Sequence, residues 1–277
     1  MTGRFGRPNP APGRGMVRHR RLRLPGLGRM LISHRALRSP RTAGADSAPG
    51  AALHTPRRAP PWIIFSPGAL TRPGDYPQLL AALTAAGAAV LTLDYHWPRL
   101  FAGDAAELGK PMRTVRRLRS GRLPARGLAR NSLPPPPRSR GGAKVPPIRI
   151  LGYSLGGWAL AAGFDAPTHG RSLEIALLGA STLREPWQPP NRRRQRVRLL
   201  AGTEDGVIDS AALSRLAQAF ATEIEWLDGV NHFGLLNDAV GAPDFRARDR
   251  TTRLSRRRCA ERVARRLLSA RKRRPAA

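Results

Sequence analysis

Apolar runs without alternating polarity recur along the middle and end of the chain. Between them lie stretches whose apolar positions fall at helical spacing. Trp62-Ile63-Ile64-Phe65-Ser66 is the first such run, and Pro67-Gly68 ends it as a turn. Residues 75–86 follow with the helical period, and Gly87 stands where a helix C-cap is expected. The same reading predicts strands at Ala89–Leu93, Ile148–Gly152, Leu173–Leu178, Val197–Ala201 and Glu223–Leu227, with helices over 154–163, 210–221 and 254–269. Short strands that are apolar on both sides, separated by helices, predict an α/β domain. Its mostly parallel sheet has about six strands, is covered on both faces, and uses right-handed crossovers.

The ends do not share this pattern. Residues 1–60 hold 13 basic residues and one acid, with Pro and Gly recurring and no sustained apolar period, so a disordered Arg/Pro/Gly-rich tail is expected. The 11 arginines and no acid between Arg4 and Arg41 superficially suggest a targeting segment or a nucleic-acid-binding arm. Pro8, Pro10, Pro12 and Pro25 argue against the amphipathic helix that a transit peptide needs. Residues 121–147, with four successive prolines from Pro134 to Pro137, read as a flexible Pro/Arg insert, and residues 271–277 as a basic tail. One domain over 61–270 remains.

Charge changes this picture less than its size suggests. The formal net charge of +31 would ordinarily point to nucleic acid or anionic lipid. Yet 46 of the 49 basic residues are arginine, a bias that GC-rich coding produces as readily as selection for charge does. The blocks 61–110, 149–190 and 201–250 together carry 10 basic and 16 acidic residues. The excess therefore sits in the ends, the insert and the 191–200 connector. It predicts nonspecific, salt-sensitive binding to polyanions and no specific nucleic-acid partner. A single cysteine, Cys259, excludes an intrachain disulfide and a Cys-based zinc cluster. No run of 18 apolar residues occurs, so no membrane span is expected, and the expected compartment is the cytoplasm.

Candidate chemistry concentrates after three of the expected strands. Gly152-Tyr153-Ser154-Leu155-Gly156-Gly157 flanks a serine with glycines at −2 and +2. Such a turn from strand to helix lifts the hydroxyl clear of the backbone at a helix N-terminus. Its plainer reading is a Gly-rich turn without chemistry. Gly202-Thr203-Glu204-Asp205-Gly206 follows the next expected strand but one. Asp205 is the chosen acid, with Glu204 and Asp209 as rivals and helix capping as the plain alternative. Gly229-Val230-Asn231-His232-Phe233-Gly234 follows the last strand. Of six histidines, only His232 lies on a loop after both other elements.

The order Ser154, Asp205, His232, together with the loops around them, resembles the α/β-hydrolase superfamily. The most similar branch is a bacterial one close to the dienelactone-hydrolase and acetylhydrolase-like groups. Phe65-Ser66-Pro67-Gly68-Ala69-Leu70 with Tyr76-Pro77-Gln78-Leu79-Leu80 resembles its first parallel strand, oxyanion loop and first helix. The resemblance covers about 61–110 and 148–270. Three departures accompany it. Pro67-Gly68 stands where many relatives carry His-Gly. The Pro/Arg insert falls where a helix ordinarily precedes the elbow strand. No leading antiparallel strands are evident in 1–60.

The resemblance implies an α/β-hydrolase fold without a compact cap domain, and an esterase-type serine hydrolase needing neither cofactor nor metal. Ser154 would be the nucleophile, His232 the base and Asp205 its orienting acid. The backbone N–H groups of Leu155 and Ala69 would form the oxyanion hole. Leu70, Tyr153, Trp158 and Phe233 are candidates for lining a pocket for a small-molecule ester, with Tyr95, His96 and Trp97 nearby in the chain. Two other readings stand beside it: an inactive hydrolase-fold scaffold and a basic nucleic-acid-associated protein.

Overall fold

The computed structural model describes residues 17–24, 28–35, 61–120, 148–162, 173–180, 195–237 and 243–269. Its eight strands form one sheet. They are β1 (Val17–Leu24), β2 (Gly28–Arg35), β3 (Trp62–Ser66), β4 (Ala89–Leu93), β5 (Ile148–Tyr153), β6 (Leu173–Leu178), β7 (Gln195–Gly202) and β8 (Ile224–Leu227). The spatial order is β1-β2-β4-β3-β5-β6-β7-β8. All neighbours from β4 to β8 run parallel, whereas β2 is antiparallel to both β1 and β4.

The six parallel strands lie where the apolar runs predicted them. The sheet nevertheless has eight strands rather than about six, because residues 17–24 and 28–35 pair as a hairpin on its edge. The tail expectation fails for these residues for a physical reason. An antiparallel strand near a sheet edge needs backbone partners more than a continuous apolar sequence. Here Met30 pairs with Leu93 and Ser33 with Val90, which suffices to bury both Met30 and Ser33. The rest of 1–60, the insert over 121–147 and the basic tail 271–277 lie outside the described residues.

Among the described residues eight helices accompany the strands: α1 (Pro77–Ala85), α2 (Trp97–Phe101), α3 (Ala105–Leu108), α4 (Lys110–Arg119), α5 (Leu155–Ala162), α6 (Ser210–Ala219), α7 (Pro243–Arg248) and α8 (Arg256–Leu268). Alternate strand residues feed opposite faces, as the two-residue side-chain period requires. Ile63, Phe65, Leu151, Tyr153, Ala176, Leu178 and Leu200 pack under α1 and α8. Ile64, Leu91, Ile150, Ile175, Leu177 and Leu199 pack under α2, α4, α5 and α6. Helix α4 precedes the elbow strand and buries Met112, Val115 and Leu118, so the insert does not displace the helix expected there. Residues 97–119 thus cover the sheet instead of forming a separate cap. Among the described residues no helix is long and apolar enough to cross a membrane.

Helix α8 shows how the parallel strands are held at their starts. Ser255 caps its N-terminus by accepting from the Arg258 N–H, and Cys259, Ala260, Val263, Ala264 and Leu267 form its buried stripe. At its other end, the carbonyls of Arg266 and Leu267 accept from the guanidinium of Arg198 at 2.9 and 3.2 Å, and Leu267 also accepts from Arg149 at 3.0 Å. Cations at a helix C-terminus meet both its open carbonyls and its dipole. Arg198, only 2 % exposed, also grips Glu225 with two parallel hydrogen bonds of 2.8 and 2.7 Å.

Candidate active site

The turn between β5 and α5 holds Ser154 at φ 52°, the left-handed region that non-glycine residues rarely adopt. Its N–H is fixed by the Leu178 carbonyl at 2.9 Å. Glycine is required on both sides by close approach. A Cβ on Gly152 would collide with Gly157 and Leu160, and one on Gly156 with the carbonyl oxygens of Ser66 and Pro67. The elbow is therefore pressed against the end of β3, and the Ser66 hydroxyl donates across the contact to the Gly156 carbonyl at 2.9 Å.

His232 follows β8 on the loop that opens a short 3-10 turn, Phe233–Leu235. Its Nε2 lies 3.2 Å from Ser154 Oγ, and its Nδ1 lies 2.8 Å from Asp205 Oδ2. A carboxylate only accepts, so the proton sits on Nδ1 and Nε2 faces the serine hydroxyl as an acceptor. Asp205 Oδ1 accepts from the N–H groups of Val207 and Ile208, both at 3.0 Å, which fixes the plane of the carboxylate. Both partner side chains are 4 % exposed, so little water screens the pair.

The three residues that the sequence singled out are thus brought together. The rival acids are elsewhere engaged: Asp209 caps α6 by accepting from the Ala211 N–H, and Glu204 lies near the Thr203 hydroxyl. Leu155 directly follows Ser154, and among the described residues neither its N–H nor that of Ala69 donates a hydrogen bond.

The candidate lining residues divide. Leu70 is 74 % exposed beside Ala69 and has φ 56°, a second left-handed non-glycine residue at this rim. Trp158 is half-buried against the core on the α5 side. Phe233 stands edge-on to the His232 ring at 5.3 Å, and the Arg246 guanidinium lies over its face. Tyr153 is buried beneath the site instead. Burial pushes its hydroxyl well above the ordinary tyrosine range, so it keeps its proton and donates to the His232 carbonyl at 2.5 Å. Tyr95 and Trp97 are buried too. The Tyr95 hydroxyl meets Ser66 Oγ at 2.7 Å, and the Trp97 indole donates to the Thr71 carbonyl. His96 caps α2.

Several contacts that shape the site were not part of the sequence reading, which placed Tyr76 only at the start of the first helix. Tyr76 accepts from the Gly68 N–H at 2.8 Å and meets Thr71 Oγ1 at 2.8 Å, while Thr71 donates to the Gly68 carbonyl. This closes the turn over 68–71, which contains Ala69. Gly179 follows β6 with φ 50°, and a Cβ there would sit 2.9 Å from Asp205 Oδ2 and 3.3 Å from His232 Nδ1. A lone glycine directly after a parallel strand was its available signal. Asp249, after α7, accepts from backbone N–H groups on both the acid and the histidine loops. It lies in an arginine-rich stretch with no motif around it.

No protein-family model matches the sequence, and no match is found among curated proteins. Among solved structures, the chain is similar to a ferulic acid esterase from Streptomyces cinnamoneus. The TM-score is 0.54 at 16 % identity, over 87 % of this chain and 80 % of that one. It is also similar to a dienelactone hydrolase-like promiscuous phosphotriesterase from metagenomic libraries. There the TM-score is 0.51 at 14 % identity, over 91 % of this chain and 98 % of the other. Identities this low speak to architecture alone, and with the strand order they show that this chain has the α/β-hydrolase fold.

Proposed function

We propose that the protein is an esterase-type serine hydrolase that cleaves a carboxylic ester, thioester or lactone through an acyl-enzyme. The observation that carries this reading is the hydrogen-bonded line from Ser154 Oγ through the His232 ring to Asp205, shielded from water at a strained turn. Ser154 Oγ attacks the acyl carbonyl carbon while its proton passes to His232 Nε2. Asp205 orients the ring and stabilises the imidazolium so formed. The N–H groups of Leu155 and Ala69 receive the developing oxyanion. As the tetrahedral species collapses, the bond to the leaving oxygen or sulfur breaks, and that atom takes the proton from His232. Water then attacks the acyl-serine with His232 as base and releases the acid.

Leu70, Trp158 and Phe233 are the side chains we assign to substrate contact; among the described residues none forms a compact cap, which suits small soluble esters. Tyr153 supports the histidine loop from below. No step calls for a cofactor or metal. The structural neighbours named as an esterase and a phosphotriesterase are in keeping with hydrolysis. The test is fluorophosphonate labelling and turnover of an ester and thioester panel. Wild type should label and hydrolyse. Ser154→Ala should do neither while melting at the same temperature, with loss of about 10⁴-fold or more in kcat. Folded wild type that neither labels nor turns over any panel member would make the protein a binding scaffold.

A further inference from the structure

Three backbone N–H groups converge on the carboxylate of Asp249. Oδ1 accepts from Gly206 at 3.2 Å and from His232 at 3.0 Å, and Oδ2 accepts from Phe233 at 2.8 Å. Gly206 adjoins Asp205, and His232 carries the imidazole, so one side chain grips both loops whose side chains meet at 2.8 Å. The turn that bears it is itself docked on those loops. The Asp249 N–H donates to the Arg246 carbonyl at 3.2 Å, closing the end of α7. A Cβ on Gly206 would collide with the Arg248 carbonyl, so the two backbones are in direct contact. Asn231 Nδ2 donates to the Arg250 carbonyl at 2.9 Å, fastening the residue before His232 as well.

We propose that Asp249 is a positioning residue: it sets the spacing and tilt of the His232 imidazole between Ser154 and Asp205 by holding the Gly206, His232 and Phe233 amides on one carboxylate. It acts through the backbone and touches no reacting atom. Tyr153 donates to the carbonyl of His232, so both backbone polar groups of that residue are committed. The catalytic part of this proposal rests on the serine-hydrolase reading, and the placement of the ring does not. A carboxylate is what three converging donors require, since an amide of the same shape presents an N–H₂ to at least one of them. A donor left facing a donor in a partly buried turn displaces the loop.

The test is Asp249→Asn, read by kinetics and by the ¹⁵N resonances of the His232 ring. Expected are a kcat lowered about 10- to 100-fold with KM within about threefold, as a misplacement of about 1 Å produces. The Nδ1–H resonance of His232 should shift or broaden, and Asp249→Glu, which restores two accepting oxygens, should recover part of kcat. In the Asp205→Asn background the same change should cost little more, because both residues act through one ring. Wild-type ring resonances and kcat in Asp249→Asn would overturn the proposal, as would losses that multiply fully in the double variant. Wild type without hydrolase activity would refute the serine-hydrolase reading, while the ring resonances would still decide the role of Asp249.

Discussion

The two ends of the parallel strands carry charge in opposite ways. Near their starts, β5, β6, β7 and β8 bear Arg149, Glu174, Arg198 and Glu225. Past their ends, the same four strands lead to Ser154, Gly179, Asp205 and His232. These four charges have fixed partners: Arg149 with Glu174, Arg198 with Glu174 and Glu225, and Arg266 with Glu225. Hydrogen bonding to Glu225 raises the Arg198 guanidinium above its ordinary value. For the Glu225 carboxyl, burial pushes upward but Arg198 and Arg266 outweigh it, leaving it lowered. Both shifts favour the charged forms of Arg198 and Glu225. At the strand ends one carboxylate faces one imidazole, whose other nitrogen meets a hydroxyl. Paired charges at the starts fasten a helix, whereas the line at the ends is the one that, in the proposed mechanism, has a proton to move.

Substitutions at the two ends should fail in different observables. The largest effect is expected from Asp205→Asn, which keeps the shape but disturbs the histidine tautomer. It should lower kcat about 10⁴-fold with little change in melting temperature, whereas Asp209→Asn and Glu204→Gln should stay near wild type. Next comes Arg198→Met, which strips Glu225 and the α8 carbonyls of their main partner. Urea titration should show a loss of about 3–5 kcal/mol with kcat per folded molecule unchanged. A drop in kcat without a drop in stability would break the comparison.

The pH dependence of that variant sharpens the test. A carboxyl lowered in the folded state contributes stability that is fully present above its ordinary value of 4.5 and is lost as pH falls through the lowered value. Arg198→Met should therefore weaken the acid limb below about 4.5 together with the neutral-pH stability. The smallest effect, and the one that mixes both currencies, is expected of Gly179→Ala. Its left-handed backbone makes the substitution cost about 1–2 kcal/mol, and its Cβ presses on Asp205 and His232. A kcat falling about tenfold alongside that loss fits a misplaced pair.

The parallel half of the sheet was legible because Ile63, Leu91, Ile150 and Leu199 lie in runs that are apolar on both faces, a local signal. Ser154, Asp205 and His232 were legible because each follows such a run within a Gly-bearing turn. The hairpin of β1 and β2 was not, because what orders it is pairing with β4, a partner some sixty residues away in the sequence. Helix α4 was obscured by its arginines, although Met112, Val115 and Leu118 keep a buried stripe. Asp249 was not legible for a related reason: it acts on backbone N–H groups of two other loops, and no residue pattern near it announces such bonds. Tyr76 was read at the start of the first helix, but its bond to the Gly68 N–H eight residues before it was not.

The hairpin also bears on how this protein behaves in concentrated solution. An open sheet offers its outermost strands as templates on which further chains can add, the first step toward fibrous aggregates. Here one border is β1, in which four of eight residues are arginine, and the other is β8, only four residues long. A strand so heavily cationic repels a second copy of itself, and a strand so short offers few backbone groups to capture. Among the described residues, the two borders of the sheet are thus a cationic sequence and a short strand, and both disfavour the addition of a second copy.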